Sequence, residues 1–396
     1  MSARARLADI AEQLASAERE RTPVRIAGCR SWLDAGRPVE STREVSAASL
    51  NGIIEYVPGD LVMTVAAGTS LRDIADATRE HGQWLALDPF GSDSGSIGAT
   101  VATGSSGPLA LGAGRTRDLV LGASVLTAGG TAVRAGGRVV KNVAGFDLVR
   151  LWAGAYGTLG VITEVSLRLH ALPAVEETFA VTIARADIGK LSERLGLDAL
   201  GFMALELLNP AAAAACDAGA ASGTDAWILL ARVAGNRQRS TAQRERLAAV
   251  GAVRELGSDV WMRVRALDGV GNAVARLSAA PSLLEDTLAD VERRIGSAPG
   301  VRLCVTPHRG GIRAVFPTPD AAARTRMADT VRAFQRGDRR LAVLWEQLPA
   351  NCWAAVPPAT LDVVSQRIRD AFDPHRVLNR GIFGDPAPAR SPAGVA

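Results

Sequence analysis

From Gly91 to Gly107 the chain reads Gly-Ser-Asp-Ser-Gly-Ser-Ile-Gly-Ala-Thr-Val-Ala-Thr-Gly-Ser-Ser-Gly. Almost every residue is small. Such a run is either a flexible surface loop or a cradle in which successive main-chain N–H groups converge on a phosphate. Glycine permits close approach and positive φ, and Ser and Thr add hydroxyl donors. Two features favour the cradle. Ile97, Ala99 and Val101 punctuate the run, which a linker would not need. A second small-residue site, Gly154–Ala155–Tyr156–Gly157–Thr158–Leu159–Gly160, leads into a strongly strand-like segment. The chemistry implied is a nucleotide-type ligand held by neutral backbone donors.

Other familiar constellations are missing from the sequence. It has no G-x-S-x-G elbow, no G-x-x-x-x-G-K-[ST] loop and no G-x-G-x-x-G fingerprint. Serine hydrolases of the usual type, P-loop hydrolases and simple Rossmann dehydrogenases are therefore disfavoured. Cys29, Cys216, Cys304 and Cys352 are far apart, and so are His81, His170, His308 and His375. Iron–sulfur and zinc sites gather their ligands at close spacing, so no metal centre is expected, and the thiols read as reduced and mostly buried.

The positioning elements can be read around these motifs. Leu7, Ile10 and Leu14 recur at helical spacing, which predicts an amphipathic N-terminal helix rather than a signal peptide. Val24–Ala27 reads as a strand turning at Gly28, and Leu61–Ala66 as another. Ser70, three residues before Asp73, predicts a helix cap. Gly129–Gly130 between Leu119–Leu126 and Ala132–Arg134 predicts a hairpin. Thr158–Leu169 predicts a strand with Val161, Thr163, Val165 and Leu167 on one face and Ile162, Glu164, Ser166 and Arg168 on the other. Leu172–Pro173 closes the first domain, 1–173. From 174 to 350, strand-like segments at Phe179–Ile183, Phe202–Leu207, Trp227–Val233, Val301–Val305 and Ile312–Phe316 alternate with Ala/Arg-rich helical stretches. This predicts an antiparallel sheet covered by helices, an α+β cap. A last helix is expected near Leu361–Phe372 within a C-terminal segment, 351–384, that returns to the first domain. The Pro/Ala-rich tail, 385–396, is expected to be disordered.

Of 396 residues, 47% are hydrophobic and 22% charged, which is an ordinary globular balance. The net charge of +4 and an aromatic content of 4% argue against a nucleic-acid binder, which would show a basic face with stacking rings. No apolar run approaches the ~18 residues of a membrane span. A cytoplasmic location is the default expectation.

Gly137–Arg138–Val139–Val140–Lys141–Asn142–Val143–Ala144–Gly145–Phe146–Asp147–Leu148, continuing through Leu151 and Gly157–Thr158–Leu159–Gly160–Val161–Ile162–Thr163–Glu164, closely resembles the FAD-binding domain of the PCMH, or vanillyl-alcohol-oxidase, type. The small-residue run is similar to that family's second pyrophosphate loop. Phe372–Asp373–Pro374 with Leu378–Asn379–Arg380–Gly381 resembles its C-terminal return segment. The Lys-Asn-Val-Ala-Gly wording and the compact length look most like the FAD-binding subunit of bacterial glycolate oxidase. The resemblance covers about the first 170 and last 30 residues; the middle domain matches only in size and texture.

The resemblance implies an α+β fold, a two-part FAD-binding domain under a cap, and non-covalent FAD. By the same resemblance, the first turn (Ala27, Gly28, Cys29, Arg30, Ser31) and the second loop (Gly95, Ser96, Ile97, Gly98, Thr100, Ala102) receive the pyrophosphate. Gly157, Gly160 and Ile162 line the adenine side, and Pro89 joins the cofactor-binding set. Cys29 and Arg30 stand where relatives are richer in glycine. The resemblance also implies oxidation of glycolate to glyoxylate in a complex with a second FAD-containing subunit and an iron–sulfur subunit, with any membrane association through those partners. Two alternatives stay open: a stand-alone FAD-dependent D-lactate or 2-hydroxy-acid dehydrogenase, and an assembly subunit with a degenerate flavin site. Lys141, one of only two lysines, reads as a structural partner for a carboxylate or a neighbour of the flavin. His308, in Thr306–Pro307–His308–Arg309–Gly310, resembles a metal-binding histidine of D-lactate-type relatives, but no partner histidine is evident. It is the catalytic candidate; no general base is identified.

Overall fold

The computed structural model describes residues 2–138, 147–195, 201–219, 226–269, 272–296, 298–318, 320–336 and 340–384. Lys141 with most of its motif, and the tail from Asp385, lie outside these.

Five antiparallel strands form the first sheet, in the order Ile53–Val57, Val62–Ala66, Val161–Arg168, Val120–Leu126, Ala132–Gly136. The last two are the hairpin expected around Gly129–Gly130. The central strand Val161–Arg168 is buried on both faces except at Glu164 and Arg168. Val165 and Leu167 pack with Ile97, Val101 and Trp152. On the opposite face Ser166 is also buried, and its hydroxyl lies 2.9 Å from that of Thr64. One-sided alternation was therefore too simple for this strand.

A small parallel pair, Val24–Ala27 with Arg43–Ser46, stands beside this sheet. The helix Ala3–Glu20 covers it with Ile10, Leu14 and Ala17, all buried. Leu378 bridges to Val24 on the pair's open side, so the C-terminal segment is woven in as a third strand. Ser70 caps the helix Leu71–Arg79 by accepting from the Asp73 N–H at 3.0 Å, a bond typically worth ~1 kcal/mol.

The second body is an eight-stranded antiparallel sheet ordered 253–256, 175–184, 226–235, 204–208, 302–306, 311–316, 273–278, 342–347. The strands at 253–256, 273–278 and 342–347 carry too little periodic signal to be read from sequence. Helices Arg237–Ala248, Leu284–Ile295 and Ala321–Gln335 cover one face; the other packs on Pro210–Ala215, Asp259–Arg265 and the first body. Cys352 and Trp353 lie in this body's core. The chain thus leaves the second body after about residue 356, rather than at 350. Helix Val363–Phe372 then docks on the first body, with Phe372 edge-on to Trp152 at 6.4 Å.

Candidate functional site

The strand Val24–Ala27 runs out at Gly28 into a bend over residues 28–31. Among the described residues, no backbone or side-chain acceptor takes the main-chain N–H groups of Gly28, Cys29, Arg30 or Ser31. Arg30 adopts a left-handed φ of 64°, and its guanidinium turns away to pair with Glu44 at 2.6 Å. Its charge is compensated there, which leaves the bend's donors neutral. Cys29 is exposed and points to the Gly68 carbonyl at 3.5 Å.

The second bend meets the first directly. A Cβ built on Gly28 would collide with the Ser96 hydroxyl, and one on Gly95 would lie 3.0 Å from the Ser31 hydroxyl. The small-residue run is not an open loop throughout: Ile97–Thr103 is a helix, capped by Ser96 and ended by Gly104 at φ 64°. Its small side chains let it lie against the sheet, since a Cβ on Gly98 would sit 2.7 Å from that of Ala67. The cost of this docking is that its first amides are used internally. Ile97 N–H donates to the Thr69 carbonyl at 2.9 Å and Gly98 N–H to that of Ala67 at 2.8 Å. Gly95 N–H is likewise taken by Ser92 at 3.0 Å. The second bend therefore contributes a close wall and the Ser96 hydroxyl, while the free amide donors belong to the first.

Between the bends opens a cleft of about 700 Å³. Nine of the expected residues line it: Ala27, Gly28, Arg30, Ser96, Gly98, Ala102, Gly157, Gly160 and Ile162. Cys29, Ser31 and Gly95 lie in the flanking bends without lining it. Ile97 and Thr100 turn inward and are fully buried. Pro89 sits elsewhere, at the contact between the two bodies, where its carbonyl accepts from Arg265 Nε at 2.7 Å.

Asn379 is the residue the sequence reading left out of this site. Its Oδ1 accepts from the Ile26 N–H at 2.8 Å and its Nδ2 donates to the Tyr156 carbonyl at 2.7 Å. One buried amide thus ties the first strand to the turn at Tyr156–Gly157. Its own loop is held by Asp373, whose carboxylate accepts from the Val377 and Leu378 N–H groups, each at 2.8 Å. The return segment carried the signal, but pairing over so long a separation has no local pattern.

Through Thr103 and Tyr156 the first cleft continues into a second, of about 1370 Å³, between the two bodies. Ser106, Arg115 and Arg117 line it from one side, and Arg276, Ser278, Thr306 and Arg309 from the other. Its lining holds four arginines and no carboxylate. His308 shares the turn Pro307–Arg309 but is not among the lining residues. Thr306 donates to Glu206 at 2.7 Å. Burial pushes the Glu206 carboxyl up to about 8, with Asp88 adding to the rise. Asp88 is itself pushed up to about 7 by burial, although the Leu109 N–H reaches both its oxygens at 3.1 Å.

Beside these acids, buried Arg313 pairs with Asp268 and with Glu346 at 2.8 Å and stacks 3.9 Å over the Phe90 ring. Arg265 grips Pro89 and Asp93, the latter at 2.6 Å. The cap thus clasps the loop that leads into the cradle. Among the described residues no group of three or more His, Cys, Asp or Glu could hold a metal ion.

The cleft suits an FAD diphosphate and what extends from it: neutral donors at one bend, a close wall at the other, no opposing carboxylate, and an open path toward the cap. Residues 5–136 match the FAD binding domain family. The likeness to an FAD-binding domain thus lies in the first part of this chain. Glycolate oxidase subunit GlcE of Escherichia coli K12 is 40% identical over 164 residues, covering 41% of this chain and 46% of that protein. Glycolate oxidase subunit GlcD of Bacillus subtilis is 32% identical over 180 residues, covering 45% and 38%. These alignments thus span less than half of those relatives. D-2-hydroxyglutarate dehydrogenase of Xanthomonas citri pv. viticola is 25% identical, with 93% of this chain and 85% of that protein aligned. The fold extends further than the sequence similarity. 4-Ethylphenol oxidase from Gulosibacter chungangensis superposes with a TM-score of 0.70 at 17% identity, covering 96% of this chain and 87% of that one. p-Cresol methylhydroxylase superposes at 0.69 and 15% identity with the same coverage. The α+β architecture, a two-part FAD-binding domain under an antiparallel cap, is that of these flavoenzymes.

Proposed function

We propose that the chain is an FAD-dependent oxidoreductase acting on the CH–OH group of a small 2-hydroxy acid, as the FAD-binding subunit of a glycolate oxidase-type assembly. The observation that carries this reading is the continuity of the two clefts: a backbone-lined cradle passes Thr103 and Tyr156 into an arginine-lined space under the cap. Bound FAD supplies the redox chemistry. The N–H groups of residues 28–31 and the Ser96 hydroxyl hold its diphosphate without a net charge of their own. Gly157 and Gly160 keep the backbone close beside it. The cleft arginines attract and orient a carboxylate, and Thr306 presents a hydroxyl backed by Glu206. The E. coli and B. subtilis likenesses, both glycolate oxidase subunits by name, support an assembly and glycolate as substrate; the partners proposed from the family resemblance are a second FAD subunit and an iron–sulfur subunit. No helix among the described residues is long and apolar enough to cross a membrane, so membrane contact would run through partners.

A second reading is a self-sufficient 2-hydroxy-acid dehydrogenase, favoured by the nearly full-length match to D-2-hydroxyglutarate dehydrogenase. Purified chain assayed with an artificial electron acceptor, alone and with co-expressed partner subunits, separates the two. Turnover of glycolate only in the complex supports the subunit reading; turnover without partners supports the second. A colourless chain that takes up no FAD overturns both.

A further inference from the structure

A third chamber, of about 700 Å³, opens where the cap, the loop at Gly36 and Arg37, and the return segment meet. Tyr156, Trp345, Trp353 and Phe383 give it an aromatic lining, and no carboxylate lines it among the described residues. Trp345 is 3% exposed and packs on Phe316 and Phe334, yet no acceptor reaches its indole N–H among the described residues. A buried donor left unmatched costs about 1–3 kcal/mol.

Arg37 is half-buried in the same wall. Its guanidinium donates to the carbonyls of Trp353 at 3.1 Å and Pro357 at 2.8 Å, and lies 5.4 Å over the Trp353 ring. These partners are neutral, and no carboxylate pairs with Arg37 among the described residues. Ile382 and Phe383 line the chamber too, and a Cβ on Gly384 would lie 2.6 Å from Arg37 Nε. The chain therefore passes Arg37 as it enters Asp-Pro-Ala-Pro-Ala-Arg, residues 385–390.

That sequence matches the chamber in three respects. Prolines two apart favour the polyproline II helix, whose carbonyls have no internal donors. Such helices dock in aromatic-lined grooves. The leading Asp carries the charge that Arg37 lacks. At ~3.1 Å per residue, five residues span about 15 Å, enough to cross the chamber.

We propose that residues 385–389 dock in this chamber as a polyproline II segment, with the Trp345 N–H donating to one of its main-chain carbonyls and Asp385 paired with Arg37. The docked segment straps the return segment to the cap. The strap is independent of which acid the chain oxidises.

Arg390 provides a trypsin site just beyond the docked residues. In the intact chain, cleavage after Arg390, followed by mass spectrometry, is expected to run at least tenfold slower than in a free peptide of residues 383–396. Replacing both prolines, Pro386→Gly with Pro388→Gly, should bring the rate within threefold of the peptide's. Trp345→Phe keeps a ring and removes the N–H; once its thermal midpoint shows it folded, it should be cut at least threefold faster than the parent. Pro392→Ala, beyond the docked residues, should leave the rate unchanged. Cleavage of the parent at the peptide's rate overturns the strap, as does protection that survives the double Gly variant or is unaltered in folded Trp345→Phe. Protection that falls on dilution places the segment in a second copy and overturns it as well.

Discussion

The bend at residues 28–31 and the cap wall from Arg276 to Arg313 face one continuous ligand space with opposite chemistry. At the bend, unpaired main-chain amides border the cleft, and of the two arginines that line it Arg30 is turned aside onto Glu44 while Arg25 donates to the Leu33 carbonyl. Along the cap wall the backbone is locked into sheet, and side chains carry the function: arginines at the surface, with Glu206, Arg313 and Glu346 buried behind them. Backbone sites need small residues in a row, because bulk blocks approach. Side-chain sites need only single residues on separate strands, brought together by the fold.

The cap side should break hardest. Arg313→Met leaves Asp268 as a buried carboxylate without its cation and Glu346 with only the outer Arg276, and should cost about 3–5 kcal/mol. Chemical denaturation measures it, and a loss below ~1 kcal/mol would mean the cluster is solvated. On the cradle side, Asn379→Ala strands the Ile26 N–H and Tyr156 carbonyl, each a penalty of about 1–3 kcal/mol, and should lower flavin affinity as the turn loosens. Unchanged flavin affinity would show that the strap does not shape the cradle.

The smallest effect is one of pH. Glu206 keeps its proton in the fold up to about 8, whereas the unfolded chain releases it near 4.5. Between those values the unfolded state binds fewer protons, so stability falls as pH rises. Glu206→Gln removes this contribution and should flatten the decline from pH 6 to 8 by about 1–2 kcal/mol. Parallel pH profiles of the two proteins would place the titration elsewhere.

This contrast also explains what was legible in the sequence. The small-residue run, the Gly129–Gly130 hairpin and the Ser70 cap are local patterns, whereas the nine cradle residues were named from the resemblance to the FAD-binding family. The run's helical middle, Ile97–Thr103, was missed because glycine and serine suit loops as well as tight helix docking. Asn379 was missed because its partners lie hundreds of residues away in the chain. The cleft arginines were hidden by number: among 45 Lys and Arg, nothing local marks Arg115 or Arg309. His308 was singled out by its likeness to a histidine of D-lactate-type relatives, yet the fold keeps it off the cleft lining while its neighbours Thr306 and Arg309 reach it.

The most direct measurement compares FAD affinity in Gly28→Val and Arg30→Gln, with acid-released flavin identified and counted in each and folding checked by denaturation midpoint. If neutral amides at the first bend hold the diphosphate, Arg30→Gln should bind FAD within about threefold of the parent, since a charge already paired at the surface contributes little. Gly28→Val, which forces a side chain into Ser96, should lose at least tenfold while remaining folded. FAD binding that survives Gly28→Val but disappears with Arg30→Gln would contradict the account.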